Sequence, residues 1–171
     1  MGKVILISGK AHSGKDTLAN MIVDNLKKQG KSACIHHIAD YLKYLVTTYH
    51  GWNGVKDEYG RSLLQRKGDG SRQLRSNFWE TISIHTILFL FQYFEYVIIP
   101  DVRYINEIET LSKEFESVKV RINRTMPDSA LTAEQLTHVS ETQLDNYSSW
   151  DMVISNDGSL DELRAISTTI L

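Results

Sequence analysis

Residues 9 to 17 read Gly9-Lys10-Ala11-His12-Ser13-Gly14-Lys15-Asp16-Thr17, two glycines separated by four residues and followed by a lysine. Glycines let successive backbone N–H groups curl around a phosphate, and a helix opening near Lys15 points its positive dipole end at that anion. Lys15 then reaches the β and γ phosphates of a nucleotide. The nine residues are therefore the expected ATP-binding loop. In the commonest form of this pattern a hydroxyl that ligates Mg²⁺ directly follows the lysine. Here Asp16 stands there, and the hydroxyl comes one place later as Thr17. That spacing suggests Mg²⁺ held largely through water and phosphate oxygens. Asp16 is either a metal-side carboxylate or a charge at the helix N-terminus.

A second chemistry-bearing stretch runs from Arg61 to Arg75, where five basic residues face one acidic residue in fifteen positions. Tyr44, Tyr49, Trp52, Phe78 and Trp79 flank it. Arginine clamps phosphate bidentately and aromatic faces stack bases, so Arg61, Arg72 and Trp79 are expected at an acceptor pocket. The alternative is a solvated basic helix with its tryptophans in the core. Asp40, suited to a sugar or base, and Lys43, suited to a phosphate, lie one helical turn apart; Asp40 serves equally as an N-cap. Pro100-Asp101-Val102-Arg103 closes an apolar run. Asp101 is placed to orient Mg²⁺ through water, and Arg103 to bind the acceptor phosphate. Arg121 and Arg124, three apart, lie on one side if that segment is helical or turn-like, where they can stabilise charge on a transferring phosphoryl group. His138, Ser140, Glu141 and Asp145 follow, as chemistry or as a capping cluster. His138 is the one histidine of six expected near the reaction apart from His12 of the loop. The loop Asn156-Asp157-Gly158 is expected to border the adenine, mainly through its backbone.

Something must hold these residues together. Apolar runs of strand length, Val4–Ser8, Ala33–Ile38, Tyr96–Ile99 (ended by Pro100), Val118–Ile122 and Met152–Ser155, alternate with helical patterns. Leu18, Met21, Ile22 and Leu26 form a helix stripe that Gly30 stops. Asn106–Phe115 reads as a helix. Thr132 with Gln135 and Ser159 with Glu162 have capping-box spacing, opening one helix over 132–137 and another towards Leu171. Ile82–Phe94, the most apolar stretch, reads as a buried helix too short to span a bilayer. Apolar strands separated by helices predict an α/β fold, a parallel sheet covered on both faces, with its site at the carboxyl ends of the strands.

The chain has 171 residues, enough for one domain. Residues 39–80 are expected as an acceptor-binding insert and 121–145 as a lid. The net charge of −2 argues against a nucleic-acid coat or a polybasic membrane anchor. The single cysteine, Cys34, excludes an internal disulfide. With no signal-peptide pattern at the start, a cytoplasmic protein is expected. The aromatic-rich region from Tyr44 to Trp52 serves as a base pocket or as the surface of a homodimer.

Six segments together resemble the phage-type deoxynucleoside monophosphate kinases of the P-loop nucleoside monophosphate kinase superfamily. They are G-K-A-H-S-G-K-D-T at 9–17, A-D-Y-L-K at 39–43, G-W-N-G-V-K-D-E-Y-G-R-S-L-L-Q at 51–65, D-V-R-Y-I-N-E at 101–107, H-V-S-E-T-Q-L-D at 138–145 and S-N-D-G-S-L at 155–160. Where such families carry G-T-E after L-L-Q, this chain has Gly68-Asp69-Gly70. The resemblance implies a three-layer P-loop NTPase fold with five parallel strands, an ATP donor with Mg²⁺, and a deoxynucleotide acceptor. It also implies contacts from Gln65, His138 and Glu141 to that acceptor, and from Asn156 to ATP. The pattern is distantly similar to phosphomevalonate and dephospho-coenzyme A kinases, which leaves another small acceptor as the alternative. A non-catalytic nucleotide-binding switch is the other alternative.

Overall fold

The computed structural model describes residues 2–125 and 132–170, and only the backbone of 133 and 135. The strands are β1 (Lys3–Ser8), β2 (Ala33–Ile35), β3 (Tyr96–Val102), β4 (Ser117–Asn123) and β5 (Met152–Ser155). Between them run α1 (Lys15–Lys28), α2 (Ala39–His50), α3 (Glu58–Leu74), α4 (Phe78–Leu90), α5 (Ile105–Glu114), α6 (Ala133–Thr137), α7 (Val139–Thr142) and α8 (Leu160–Ser167). The sheet order is β2-β3-β1-β4-β5, and every pairing is parallel. The expected α/β architecture with five parallel strands is present.

Alternation along β1 builds both faces. Ile5 and Ile7 pack with Leu18, Ile22 and Leu26 of α1 and Leu163 of α8. Val4 and Leu6 face the other way, onto Ile87 of α4 and Ile108 and Leu111 of α5. Because β1 is covered on both faces, all its residues from Val4 to Ser8 are buried, as a central parallel strand requires. The stripe predicted for α1 is the one buried. The Ser159 box is also formed: Ser159 N–H donates to Glu162 Oε2 at 2.7 Å, and Glu162 N–H donates to Ser159 Oγ at 3.2 Å. The matching box at Thr132 involves the side chain of Gln135, which lies outside the described residues, as does 126–131 of the expected lid.

Several boundaries differ from expectation. Pro100 does not end β3, which runs on to Val102. Leu6 pairs with Ile99 but Ser8 with Val102, so β3 spends an extra residue there. Such a bulge accommodates a residue that cannot donate to the ladder. β2 stops at Ile35 rather than Ile38: His36 N–H still bonds the Ile98 carbonyl, but His37 N–H turns to Asp40 Oδ2 and Ile38 N–H to a side chain of β3 described below. β4 gains a residue at each end, α5 begins and ends one residue early, and α8 stops at Ser167. The apolar stretch 82–94 is only half buried. Ile87 is in the core, but Phe89 is 57% and Tyr93 63% exposed. That helix is apolar all round, and one of its faces has no partner among the described residues.

Between β2 and β3, helices α2 and α3 close on a small core of Val46, Trp52 and Leu63. Trp79 of α4 is buried beside them and donates its indole N–H to the Gly68 carbonyl at 3.1 Å. Among the described residues, no helix is long and apolar enough to cross a membrane.

Candidate active site

The carboxyl ends of β1 and β3 open into one cavity of about 980 Å³. Its floor is the loop between β1 and α1. Gly9 has no room for a side chain, since an added Cβ would lie 2.5 Å from Ser13 Oγ. Gly14 has φ +97°, and His12 also takes a left-handed conformation at φ 61°. Asn156 braces the loop from β5, donating Nδ2–H to the Ser13 carbonyl at 2.9 Å. Its contribution is thus a side chain bonding to the loop. Ser13 Oγ is buried with no partner among the described residues.

Lys15 is 7% exposed, and its ammonium donates to the Lys10 carbonyl at 2.6 Å. Burial, with the charge of Arg103, pushes its pKa down to about 7 against the pull of Glu141, Asp16 and Asp101. A compact anion beside this group would restore its charge. The tight glycine, the orphaned Ser13 hydroxyl and the depressed lysine all suit the phosphates of a nucleotide.

The metal side is sparser. Among the described residues, no three His, Cys, Asp or Glu side chains converge as a metal site. Asp101 gives both carboxylate oxygens to backbone, accepting Ile38 N–H at 2.9 Å and Ala39 N–H at 3.0 Å. These are the groups that β2 loses, and they open α2. Asp16 Oδ1 lies 3.0 Å from His37 Nε2. That bond holds the Asp16 carboxyl below its ordinary range and raises the His37 pKa. Such a donor set fits Mg²⁺, which keeps several waters and binds through substrate phosphates with one or two carboxylates.

Arg61, Arg72, Trp79 and Arg103 line the same cavity, with Lys43 and Arg124. Arg61 Nε–H donates to the Lys56 carbonyl at 3.0 Å. Arg103 pairs with Glu141, which also accepts the Ala11 N–H at 3.2 Å. The lining further includes Ala11, His12, Gly14, Lys15, Asp16, Thr17 and Asp101.

Other expected residues stand back from it. Gly9, Lys10, Ser13 and Asn156 shape the loop from behind. Asp40 points away and pairs with Lys43 at 2.8 Å, while α2 takes its cap from Asp101 instead. Gln65 lies on α3 off the lining. Trp79, 2% exposed, supplies wall rather than an open stacking face. Trp52 is likewise core, so the tryptophans follow the bland alternative. Arg121 sits in β4, not in a turn, and strand geometry separates it from Arg124. It donates to Ser8 Oγ at 3.1 Å and Asp145 Oδ1 at 3.4 Å, away from the cavity. His138 bonds Asp69 Oδ2 at 2.8 Å and Ser140, a bracing cluster. The histidine that does line the cavity beyond the loop is His37. Its signal was its place just after β2, at a carboxyl end. Lys56 and Glu107 also line the site. Lys56 stood inside the 51–65 segment and Glu107 inside the D-V-R-Y-I-N-E segment, both without a role.

No protein-family profile and no curated protein matches the chain. Solved structures do. The APS kinase of Mycobacterium tuberculosis, in complex with AMPPNP and APS, superposes with TM-score 0.56 at 13% identity, over 99% of this chain and 96% of that one. A mutant of that kinase gives the same TM-score at 14% identity and the same coverage. The fold is that of the P-loop kinases. An unliganded sugar kinase from a Janibacter species follows with TM-score 0.50 at 13% identity, covering 99% and 94%. In P-loop terms, the loop at 9–17 occupies the strand-to-helix turn expected of this fold.

Proposed function

We propose that this protein transfers the γ-phosphoryl group of ATP, with Mg²⁺, to a (deoxy)nucleoside monophosphate, giving the diphosphate. The observation that carries it is that residues of the 9–17 loop and Arg61, Arg72 and Arg103 line one cavity. The loop suits a polyphosphate and the arginines a second phosphate. In this proposal residues 39–80 bind the acceptor and 121–145 close over the transfer.

An acceptor phosphate has a second pKa of about 6 and is largely ionised near neutrality, so no strong base is needed. Catalysis then reduces to positioning and charge neutralisation. Lys15 holds the β and γ phosphates, and the loop N–H groups cradle them. Arg61, Arg72 and Arg103 hold the acceptor phosphate, and Arg124 meets the charge between the two. Bound Mg²⁺ would offset the charge of the phosphates; Thr17, and Asp16 and Asp101 through water, would hold it.

A hydroxyl acceptor would instead need a carboxylate base. Asp101 has both oxygens committed to Ile38 and Ala39, and Asp40 lies off the cavity and is paired with Lys43. Both features favour a phosphate acceptor. The deciding experiment measures ADP formed from ATP and Mg²⁺ against a panel of dNMPs and NMPs, with Lys15→Ala as control. Turnover with one or a few monophosphates, lost in the control, supports the proposal. ATP binding without acceptor-stimulated ADP overturns it in favour of a nucleotide-binding switch.

A further inference from the structure

Glu107, in the first turn of α5, is 1% exposed yet borders the cavity. Its Oε2 accepts the backbone N–H groups of Arg103 at 2.7 Å and Tyr104 at 3.1 Å. Its Oε1 accepts Nη2–H of Arg72 at 2.9 Å. Arg72 also lies flat over the Tyr104 ring, its central carbon 3.7 Å from the centroid. Its Nη1 is 3.8 Å from Asp69 Oδ1. Its Nε–H is buried with no partner among the described residues. The guanidinium is therefore held along one edge and over one ring, and Arg72 also lines the cavity.

Capping α5 does not by itself require a carboxylate. A glutamine serves the same N–H groups at this position. The second oxygen goes to Arg72, and burying a charge for that contact is expensive unless it is paired. Burial, helped by the charges of Asp101 and Glu80, pushes the Glu107 acid up to about 7 against the charge of Arg72 and the Arg103 N–H bond. Resting on the function proposed above, in which Arg72 and Arg103 share the acceptor phosphate, we infer that Glu107 is a positioning residue. One carboxylate sets the Arg72 guanidinium relative to the Arg103 backbone, so that both cations meet the same phosphate.

Glu107→Gln isolates this role. The amide oxygen keeps the two backbone N–H bonds, while the amide N–H₂ opposes the N–H of Arg72. The acceptor KM is expected to rise about tenfold, with kcat within about threefold and the ATP KM unchanged. The melting temperature is expected to fall, because two buried donors then oppose each other; a purely structural role would lower it and leave the acceptor KM alone. In an Arg72→Ala background the same change should add less than about threefold, because the partner it acts through is gone. If Glu107→Gln does not fold, Arg72→Lys reports instead. It keeps the charge but loses the planar fork, and the acceptor KM should again rise about tenfold.

Wild-type turnover with an unmoved acceptor KM in the reporting variant, or full additivity with Arg72→Ala, overturns the inference alone. Absence of acceptor-stimulated ADP formation in the wild type overturns the functional proposal, and this inference with it.

Discussion

The ammonium of Lys15 is tied to the carbonyl of Lys10, 2.6 Å away, within its own loop. A cation so buried is satisfied by one carbonyl dipole and little else, and its pKa has fallen from 10.5 to about 7. An arriving polyphosphate would reverse that shift. At about pH 8 the free protein holds Lys15 mostly neutral and the complex holds it charged, so nucleotide binding takes up a proton. Calorimetry in buffers of different ionisation enthalpy measures this directly. A binding enthalpy independent of buffer would refute it. Linkage sets the stability sign as well. The unfolded chain binds more protons between about 7 and the ordinary lysine value of 10.5, so this group makes the free protein more stable as pH rises through that window.

Arg121 and Arg124 should behave as different kinds of residue. Arg124 lines the cavity, while Arg121 is 9% exposed and spends its donors on Ser8, Asn123 and Asp145. Arg124→Ala is expected to lower kcat by roughly tenfold or more with the melting temperature unchanged. Arg121→Ala should destabilise the fold by about 1–3 kcal/mol, because it strands the buried Ser8 hydroxyl and removes a buried side chain from β4. Denaturant melts beside initial rates separate the two, and the reverse pattern would exchange their roles.

Asp101→Asn tests the link between the sheet and α2. The carboxylate accepts two N–H groups; an amide offers one oxygen and turns a donor on the other. A loss of about 1–3 kcal/mol is expected from the unsatisfied N–H. Hydrogen exchange should quicken at Ile38 and Ala39 first. Unchanged protection there would mean that Asp101 does not hold the start of α2.

Two glycines give opposite signs. At Gly70, within α3, an added Cβ meets nothing within 4 Å, so Gly70→Ala should stabilise by roughly 0.5–1 kcal/mol through helix propensity. At Gly9 the added carbon is crowded by Ser13 Oγ and the Ile122 carbonyl. Gly9→Ala is expected to lower the melting temperature and to weaken ATP binding together. A Gly9→Ala protein with native ATP affinity would show that the loop has slack the geometry denies.

The sheet and α1 were legible because periodicity reports burial directly. Val4–Ser8 and the stripe from Leu18 to Leu26 needed no tertiary information. The loop at 9–17 was legible because its glycines are required by local backbone geometry. The other side of the cavity was less so. Asp40 and Asp101 both looked like caps or ligands, and only the bulge at Pro100 aims Asp101 at α2. Trp79 had the right type for stacking, but burial depends on how α3 meets α4. Arg121 and Arg124 had turn-like spacing, and the extra length of β4 separated them. His37 and Lys56 reach the site through chain reversals that no local pattern encodes.

The extra residue that β3 carries at Pro100 governs where the molecule can bend. With Asp101 aimed across at Ile38 and Ala39, the joint between β2 and α2 is welded to the centre of the sheet. Swinging α2 outward must first break both of those bonds. Cheap rotation belongs instead to the 51–57 connection, where Gly51 and Gly54 have left-handed backbones and open space around them. Beyond that joint α3 is held by the core it shares with α2, by Trp79 on the Gly68 carbonyl and by Arg72 on Glu107, so any swing of α3 must break those contacts as well.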